Sequence, residues 1–246
     1  MPHPSTFPRQ NHPPFPAPEP VSPMLPLTPA DIEKHAKLGI LPELLYPCVD
    51  RANDWLARHE WHISAPGYWD LAGLVYVRYI PRCPWRVGWR LRLDKPMMRN
   101  GKLTKYLCPP KSSGHLFYPP GAGVLLDRPD TEIVLVESEK AGLALLSWAR
   151  RTGRDNLLPL AMGGCWGWHS QHIRIDVMPN GTRVPVSGAI PDLHDCDGRV
   201  TYVLFDSNSA VSEDVQLART RLVFELNRPE RNCAVRVIDL PWLTTK

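Results

Sequence analysis

The sequence has no apolar run long enough to cross a membrane, no export signal and no closely spaced pair of cysteines. A spanning helix needs about 18 or more apolar residues, and no such stretch occurs in the 246 residues. The N-terminus lacks the charged and then apolar order of a secretory signal. The six scattered cysteines argue against a zinc ribbon or finger. We therefore predict a cytoplasmic protein with free thiols and no membrane partner.

Proline is abundant and unevenly distributed. Eleven of the 28 prolines lie in residues 1–29. Because proline fixes φ and removes a backbone donor, neither a helix nor a central strand is expected there. We predict a disordered Pro-rich tail over residues 1–27, serving as a linker or leader.

Acidic residues are almost absent from residues 73–111. This segment holds ten lysines and arginines and one acid, Asp94, for a net charge of +9, whereas the remainder carries −5. Such a segment suits contact with phosphates, which supply most sequence-independent affinity for nucleic acid. Trp85, Trp89 and Tyr106 lie between the basic residues, as in proteins that stack single-stranded bases. The alternative is that the tryptophans are core residues and the arginines a solvated face.

The basic segment is predicted to be a small antiparallel sheet. Residues 74–80 and 85–93 are typical of strands, Asn100 and Gly101 of a turn, and Lys102–Leu107 of a return strand. The even spacing of Arg86, Arg90 and Arg92 places these three arginines on one face of their strand. The predicted nucleic-acid contacts in this sheet are Arg86, Arg90, Arg92, Lys95, Lys102 and Lys105.

Helix signals precede the basic segment. Thr28 and Pro29 are typical of a helix start, and Gly39 of its end. A second helix is predicted over Asp50–Arg58. With the strands, these helices form a predicted α+β basic region over residues 28–128.

From residue 129 onward the pattern is that of an α/β domain. Apolar strands at 132–137, 156–162, 200–205 and 234–240 alternate with helices at 140–151 and 211–226. Residues 163–199 form a loop-rich insertion with a hairpin turn at Asn180 and Gly181. This order predicts a parallel sheet flanked by helices over residues 129–246.

Two of these strands end in acids. Glu137 follows the first strand, and Asp206 follows the third. If the two strands are neighbours, both carboxylates meet at the edge where α/β sheets carry function. Carboxylates suit Mg²⁺, which in turn holds phosphate oxygens. The alternative is that each acid only caps the next helix.

Three further residues near these strand ends have two interpretations each. Trp166 and Trp168 follow the second strand, and either line the site or fill the core of the insertion. Lys140 either contacts a phosphate or pairs with Glu137 or Glu139.

Two motifs resemble the TOPRIM family of topoisomerases and primases, namely VESEKA at residues 136–141 and LFDSN at 204–208. That family carries an acid after its first strand, often as Glu-Gly-Glu, and Asp-x-Asp after a later one. The chain most resembles the TOPRIM-like domain of uncharacterised function in replication proteins of plasmids, phages and integrated elements. Flanking segments extend the resemblance over roughly residues 28–241: RLRLDKP at 90–96, KY at 105–106, PP at 119–120, GCWGW at 164–168 and LP at 240–241. It implies a TOPRIM-like, Rossmann-type sheet.

The resemblance also implies roles for individual residues. The family's general acid/base falls on Glu137, which joins Asp206 and Asn208 in binding Mg²⁺ or Mn²⁺, while Glu139 and Lys140 assist at the phosphate. Asn208 stands where the family has aspartate and Ser138 where it has glycine, so we expect weaker metal binding. A further acidic motif beyond the last strand has no counterpart, which leads us to expect the front part of a longer protein.

The resemblance and the basic segment together imply a primase-like nucleotidyl transferase in mobile-element DNA replication. Its expected partners are single-stranded DNA, nucleotides and a helicase domain or subunit. Two alternatives stay open: a non-catalytic nucleic-acid-binding module that recruits a helicase or polymerase, and a metal-dependent nuclease of the same fold. Synthesis and cleavage both need a metal, an acid and bound phosphates.

Overall fold

The computed structural model describes residues 25–65, 67, 70–81, 86–99, 101–109, 114–206 and 212–241. Residues 1–24 of the predicted tail lie outside this set. Leu25 forms an antiparallel bridge with Arg51, and Leu27 is buried in a core cluster. Ordered contacts therefore begin before residue 28, because the apolar side chain of Leu27 packs into the core.

The described part of the chain contains both helices and strands. The helices are α1 (Pro29–Ala36), α2 (Asp54–His59), α3 (Ala122–Leu126), α4 (Glu139–Thr152) and α5 (Glu213–Leu226), with short 3₁₀ helices at Pro42–Leu44 and Pro191–Cys196. The strands are β1 (Val49–Ala52), β2 (Gly73–Tyr79), β3 (Arg86–Arg99), β4 (Lys102–Leu107), β5 (Glu132–Val136), β6 (Leu157–Ala161), β7 (His169–Val177), β8 (Arg183–Ala189), β9 (Val200–Leu204) and β10 (Ala234–Ile238).

The first sheet is antiparallel, with strand order β1-β2-β3-β4. The predicted strands β2, β3 and β4 are confirmed. The helix predicted over Asp50–Arg58 is wrong at its start, because residues 50–52 pair with β2 as part of β1. Helix α2 begins only after Asn53, whose side chain accepts a 2.8 Å hydrogen bond from the Leu56 backbone. This asparagine cap sets the boundary.

The second sheet is parallel, with strand order β10-β9-β5-β6, which confirms the predicted α/β architecture. Side chains of β5 alternate between two core clusters: Ile133 and Leu135 face one, and Val134 and Val136 the other. Helix α4 covers the face of Val134, and α5 covers the opposite face. Burial on both faces is the usual state of a parallel sheet.

The insertion between β6 and β9 is more regular than the sequence predicted. Strands β7 and β8 pair antiparallel, and the turn between them contains Asn180 and Gly181, as predicted. Gly181 has φ +79°, a conformation that glycine adopts without strain. The insertion then packs Trp168, Ile190 and Leu193 into the core on the α5 side.

The two sheets share one core. Leu74 and Tyr76 of β2 lie in the same buried cluster as Val134 and Val136 of β5. Helix α1 joins them through His35, which is fully buried. The ring of His35 donates from Nδ1 to the Asp31 carbonyl (2.7 Å), and its Nε2 accepts from the Tyr76 hydroxyl (3.0 Å). Burial lowers the pKa of His35, which keeps the ring neutral for this arrangement.

Two of the sequence predictions bear on the protein's environment. Over the residues that the structure describes, no helix combines the length and apolar character needed to cross a bilayer. The five described cysteines are free, and Cys83 lies outside the described residues.

We predict that Tyr76→Phe destabilises the fold by about 1–3 kcal/mol, because it leaves the buried Nε2 of His35 without a donor. Urea unfolding measures the change. The control is Tyr46→Phe, at a hydroxyl whose residue is 60% exposed, for which we expect a change within about 0.5 kcal/mol. Equal stability of the two variants would show that the hydrogen bond between His35 of α1 and Tyr76 of β2 contributes nothing to the free energy of unfolding.

Candidate functional site

The carboxylates of Glu137 and Asp206 meet at one edge of the parallel sheet. Strands β5 and β9 are direct neighbours, with Val136 opposite Leu204. The backbone N–H of Asp206 donates to Oε1 of Glu137 at 2.9 Å. The side chain of Glu137 thus bridges two strand ends, as the sequence predicted for adjacent strands.

The backbone around Glu137 is held on both sides. The N–H of Met162 donates to the Val136 carbonyl (2.9 Å), and the N–H of Gly164 to the Glu137 carbonyl (2.7 Å). The next residue, Ser138, caps helix α4 by accepting from the Ala141 N–H at 3.3 Å. Glu137 therefore is not itself the helix cap, which leaves its carboxylate available for another role.

The edge carries unneutralised negative charge. Desolvation raises the pKa of both carboxyls, and the Asp206 charge raises that of Glu137 further. Within the described residues, neither carboxylate forms an ion pair. Burial, with Glu137 and Asp214 nearby, also raises the pKa of the Cys165 thiol.

The donor set fits a hard divalent cation. Mg²⁺ is commonly held by one or two carboxylates, with water and substrate oxygens completing the shell. Glu137 and Asp206 supply two such carboxylates. The described residues contain no cluster of three or more histidine, cysteine, aspartate or glutamate side chains suited to a metal. The third predicted ligand, Asn208, lies outside the described residues.

Glu139 is buried instead of facing this edge. Its side chain is 1% exposed, and its two oxygens accept from Arg78 Nη2 (3.1 Å) and Arg90 Nη1 (2.9 Å). With both oxygens occupied in the interior, the carboxylate does not reach a phosphate at the surface. The structure therefore gives Glu139 a role in joining α4 to the antiparallel sheet, in place of the predicted assistance at the phosphate.

Arg78 is the residue that the sequence analysis did not single out. Its other terminal nitrogen donates to the His115 carbonyl, and Asp192 accepts from both the His115 ring (3.0 Å) and the Leu116 N–H (2.8 Å). The guanidinium of Arg78 also passes close over the backbone of Gly163. Any other residue at position 163 would place its Cβ 2.2 Å from Nη2, which is too close. The signal that the sequence offered for Arg78 is that it is the one charged residue in the otherwise apolar strand β2.

The predicted nucleic-acid contacts divide into buried and exposed groups. Arg90 pairs with Glu139 and lies 4.0 Å over the ring of Tyr106, so its guanidinium is already engaged within the protein. Arg86 is exposed and lies 4.6 Å from the Trp61 ring centroid. Lys95, with its side chain 80% exposed, makes a surface pair with Asp70, and Lys105 is also exposed. The side chain of Lys102 and the whole of Trp85 lie outside the described residues.

The two tryptophans of the insertion differ in accessibility. Trp168 is 4% exposed in the core on the α5 side, so it offers no ring face to a base, and its predicted nucleic-acid contact is not supported. Trp166 is partly buried, stacks on Trp168, and donates from Nε1 to Asp214 at 3.1 Å. Trp166 therefore ties the loop after β6 to the start of α5.

Lys140, in the first turn of α4, lies near other cations. The charges that lower its pKa, after desolvation, are those of Arg92 in β3 and Lys34 in α1. Of the two alternatives from the sequence, pairing with Glu137 or Glu139 is not what the structure shows.

The fold and site define an α/β protein whose acidic strand edge adjoins a basic antiparallel sheet. No family model matches the sequence, and no curated protein does either. The solved structure of the Aquifex aeolicus primase, comprising zinc-binding and RNA polymerase domains, is similar with a TM-score of 0.49 and 15% identity. The match covers 87% of this chain and 50% of that one, so this chain spans half its length. At this similarity, function has to be inferred from the chain's own residues.

We predict that Glu139→Gln destabilises the protein by about 3–5 kcal/mol, because it leaves two buried guanidinium groups without their counter-charge. Chemical denaturation measures the effect. The matched control is Glu33→Gln, which removes an exposed pair with Lys37 and is expected to cost about 0.5 kcal/mol or less. A small, equal effect at both positions would contradict the assigned role.

Proposed function

We propose that this chain is a Mg²⁺-dependent nucleotidyl transferase domain of the primase type, acting in replication of a mobile element such as a plasmid. The observation that carries the proposal is the hydrogen bond from the backbone N–H of Asp206 to Glu137 Oε1. It brings to one strand edge two acidic residues that form no ion pair within the described residues. The resemblance of residues 136–141 and 204–208 to the TOPRIM motifs supports the same assignment.

Each residue at the edge has a defined part in this proposal. Glu137 and Asp206 hold Mg²⁺ or Mn²⁺, which when bound stabilises charge on the phosphoryl oxygens. Glu137, whose pKa is raised by desolvation, accepts the proton of the attacking hydroxyl as general base. The Asp206 N–H keeps the Glu137 carboxylate oriented at the edge.

The exposed cations of the antiparallel sheet are the proposed contacts to single-stranded DNA. Arg86, Lys95 and Lys105 lie on β3 and β4, whose register shifts between Arg92 and Met97. Arg86 over Trp61 is a cation–π pair of the kind found beside stacked bases. The shared core fixes this sheet relative to Glu137. A template strand on the sheet is thereby held in a constant position relative to the acid pair.

The cellular setting belongs to the same proposal. We place the protein in the cytoplasm, with nucleotides as substrates and a helicase domain or subunit as its partner. The support is the resemblance to mobile-element replication proteins together with free thiols at the described cysteines.

We predict that Mg²⁺ raises the melting temperature of the protein by a few degrees, and more at about pH 8 than at about pH 5. The pKa values of Glu137 and Asp206 are raised, so without metal their charged forms cost stability as pH rises through the raised pKa values. Mg²⁺ binds the charged forms, so its stabilisation grows over the same range.

The variant for this measurement is Glu137→Gln, which keeps an oxygen to accept from the Asp206 N–H. Without metal it should be at least as stable as the parent, because one of two repelling charges is gone. Its melting temperature should no longer respond to Mg²⁺. An undiminished Mg²⁺ response in Glu137→Gln would rule out the acid pair as the metal site.

We further predict that the protein extends primers or synthesises them on single-stranded DNA with Mg²⁺ or Mn²⁺, and that Glu137→Gln lowers the rate by about 10²–10⁴-fold. Glu43→Gln, at an exposed glutamate, serves as the control with unchanged rate. The products are followed as labelled DNA on a gel. Shortening of the DNA instead of extension would show that the activity is that of a nuclease and not synthesis. Binding of single-stranded DNA that needs no Mg²⁺ and leads to neither reaction would support the alternative of a non-catalytic module that recruits a helicase or polymerase.

A further inference from the structure

An open groove lies where the end of β2, the segment before α3 and the residues before β1 meet. Its volume is about 370 Å³, which is in the range of binding clefts in proteins. Prolines and tyrosines make up much of its lining, namely Pro47, Tyr79, Pro81, Tyr118, Pro119 and Pro120. The hydroxyl of Tyr118 donates to Asp195 at 2.5 Å, which holds this part of the lining in place. We call this feature the proline–tyrosine groove.

The proline–tyrosine groove has the composition of a site for proline-rich peptides. Grooves with aromatic linings bind such peptides in the polyproline II conformation, which proline fixes in advance, so that little conformational entropy is lost on binding. Ile80, another lining residue, is 38% exposed, so apolar surface of the groove faces the solvent. Covering that surface with apolar side chains is favourable.

The chain itself contains a peptide of this kind. Residues 1–24, which lie outside the described set, hold nine prolines, and residues 13–16 read PPFP. Phe15 stands directly between two prolines, and its ring is suited to contact with tyrosine. Neither the predicted role of this tail as a linker or leader nor the proposed function uses this motif.

The described chain begins close enough to the groove for residues 13–16 to reach it. Leu25 forms an antiparallel bridge with Arg51 of β1, and Pro47 and Cys48, which line the groove, directly precede β1. Along a strand, the three steps from Arg51 to Cys48 cover about 10 Å. The eight residues 17–24 span up to about 26–29 Å. This length is sufficient even with the reversal of direction that the antiparallel bridge requires.

We propose that residues 13–16 bind in the proline–tyrosine groove of the same chain. The short connection keeps the motif near the groove at an effective concentration in the millimolar range, so a weak intrinsic affinity is sufficient. This contact is independent of the proposed function, because it involves no metal, nucleotide or DNA.

Photocrosslinking of the full chain tests this contact. The photoreactive residue p-benzoylphenylalanine replaces Ala17, next to the motif, and mass spectrometry of the irradiated protein locates the crosslinks. We expect crosslinks within one chain to the lining of the groove, around Ile80 or residues 118–123. An excess of synthetic peptide covering residues 8–20 should lower their yield by competition.

Two variants of this photoreactive chain separate specific from incidental contact. Ile80→Glu puts a charge on the apolar lining, and Phe15→Ser removes the aromatic ring of the motif, so each should lower the yield about tenfold. The control is Leu38→Glu, at an apolar residue that is 50% exposed and does not line the groove, for which we expect an unchanged yield. Melting temperatures verify that all three variants fold.

Three outcomes would overturn the proposal. The first is crosslinking outside the groove, or none at all. The second is a yield in folded Ile80→Glu and Phe15→Ser equal to that of the parent. The third is crosslinking only between two chains, which would assign the groove to the tail of a second copy.

Discussion

The buried ion pairs of Glu139 with Arg78 and Arg90 are the interaction on which the arrangement of this molecule depends. They join the first residue of α4 to two strands of the antiparallel sheet. Because α4 begins two residues after Glu137, the same pairs fix the sheet relative to the acidic strand edge. They also leave a buried excess of positive charge, since one carboxylate faces two guanidinium groups. Hydrophobic contacts of the shared core bring the sheets together, and these charges set how they meet.

The consequence is a separation of charge around the start of one helix. In the described part of the chain, the carboxylates of Glu137 and Asp206 form no ion pair and lie at the strand ends. The guanidinium groups of Arg78 and Arg90 lie beside the helix, on the side of the antiparallel sheet. Direct ion pairs between the two groups would neutralise both, and the described residues contain none. In the proposed function, the two carboxylates would hold the metal, and cations of the antiparallel sheet would hold other phosphates. The separation of positive and negative charge at the site therefore follows from which side chains form ion pairs in the described part of the fold and which do not.

The sequence was a good guide wherever neighbouring residues decide the structure. Alternation of apolar strands and helices was enough to predict the parallel sheet, and the adjacency of β5 and β9 then places Glu137 beside Asp206. The first strand was mistaken for a helix because residues 50–58 have no local breaker except Asn53, a cap whose significance was missed. Pairing with β2, more than 20 residues away, makes residues 50–52 a strand.

Long-range ionic contacts were beyond sequence reasoning. Arg78 and Glu139 are 61 residues apart, and neither spacing nor periodicity links them. The motif resemblance implied a part in the chemistry for Glu139, whereas its side chain is buried and pairs with Arg78 and Arg90. The central claim, that Glu137 and Asp206 together bind a divalent metal, is tested most directly by anomalous diffraction from crystals grown with Mn²⁺. The account predicts a manganese peak within bonding distance of both carboxylates, and a peak elsewhere, or none, would contradict it.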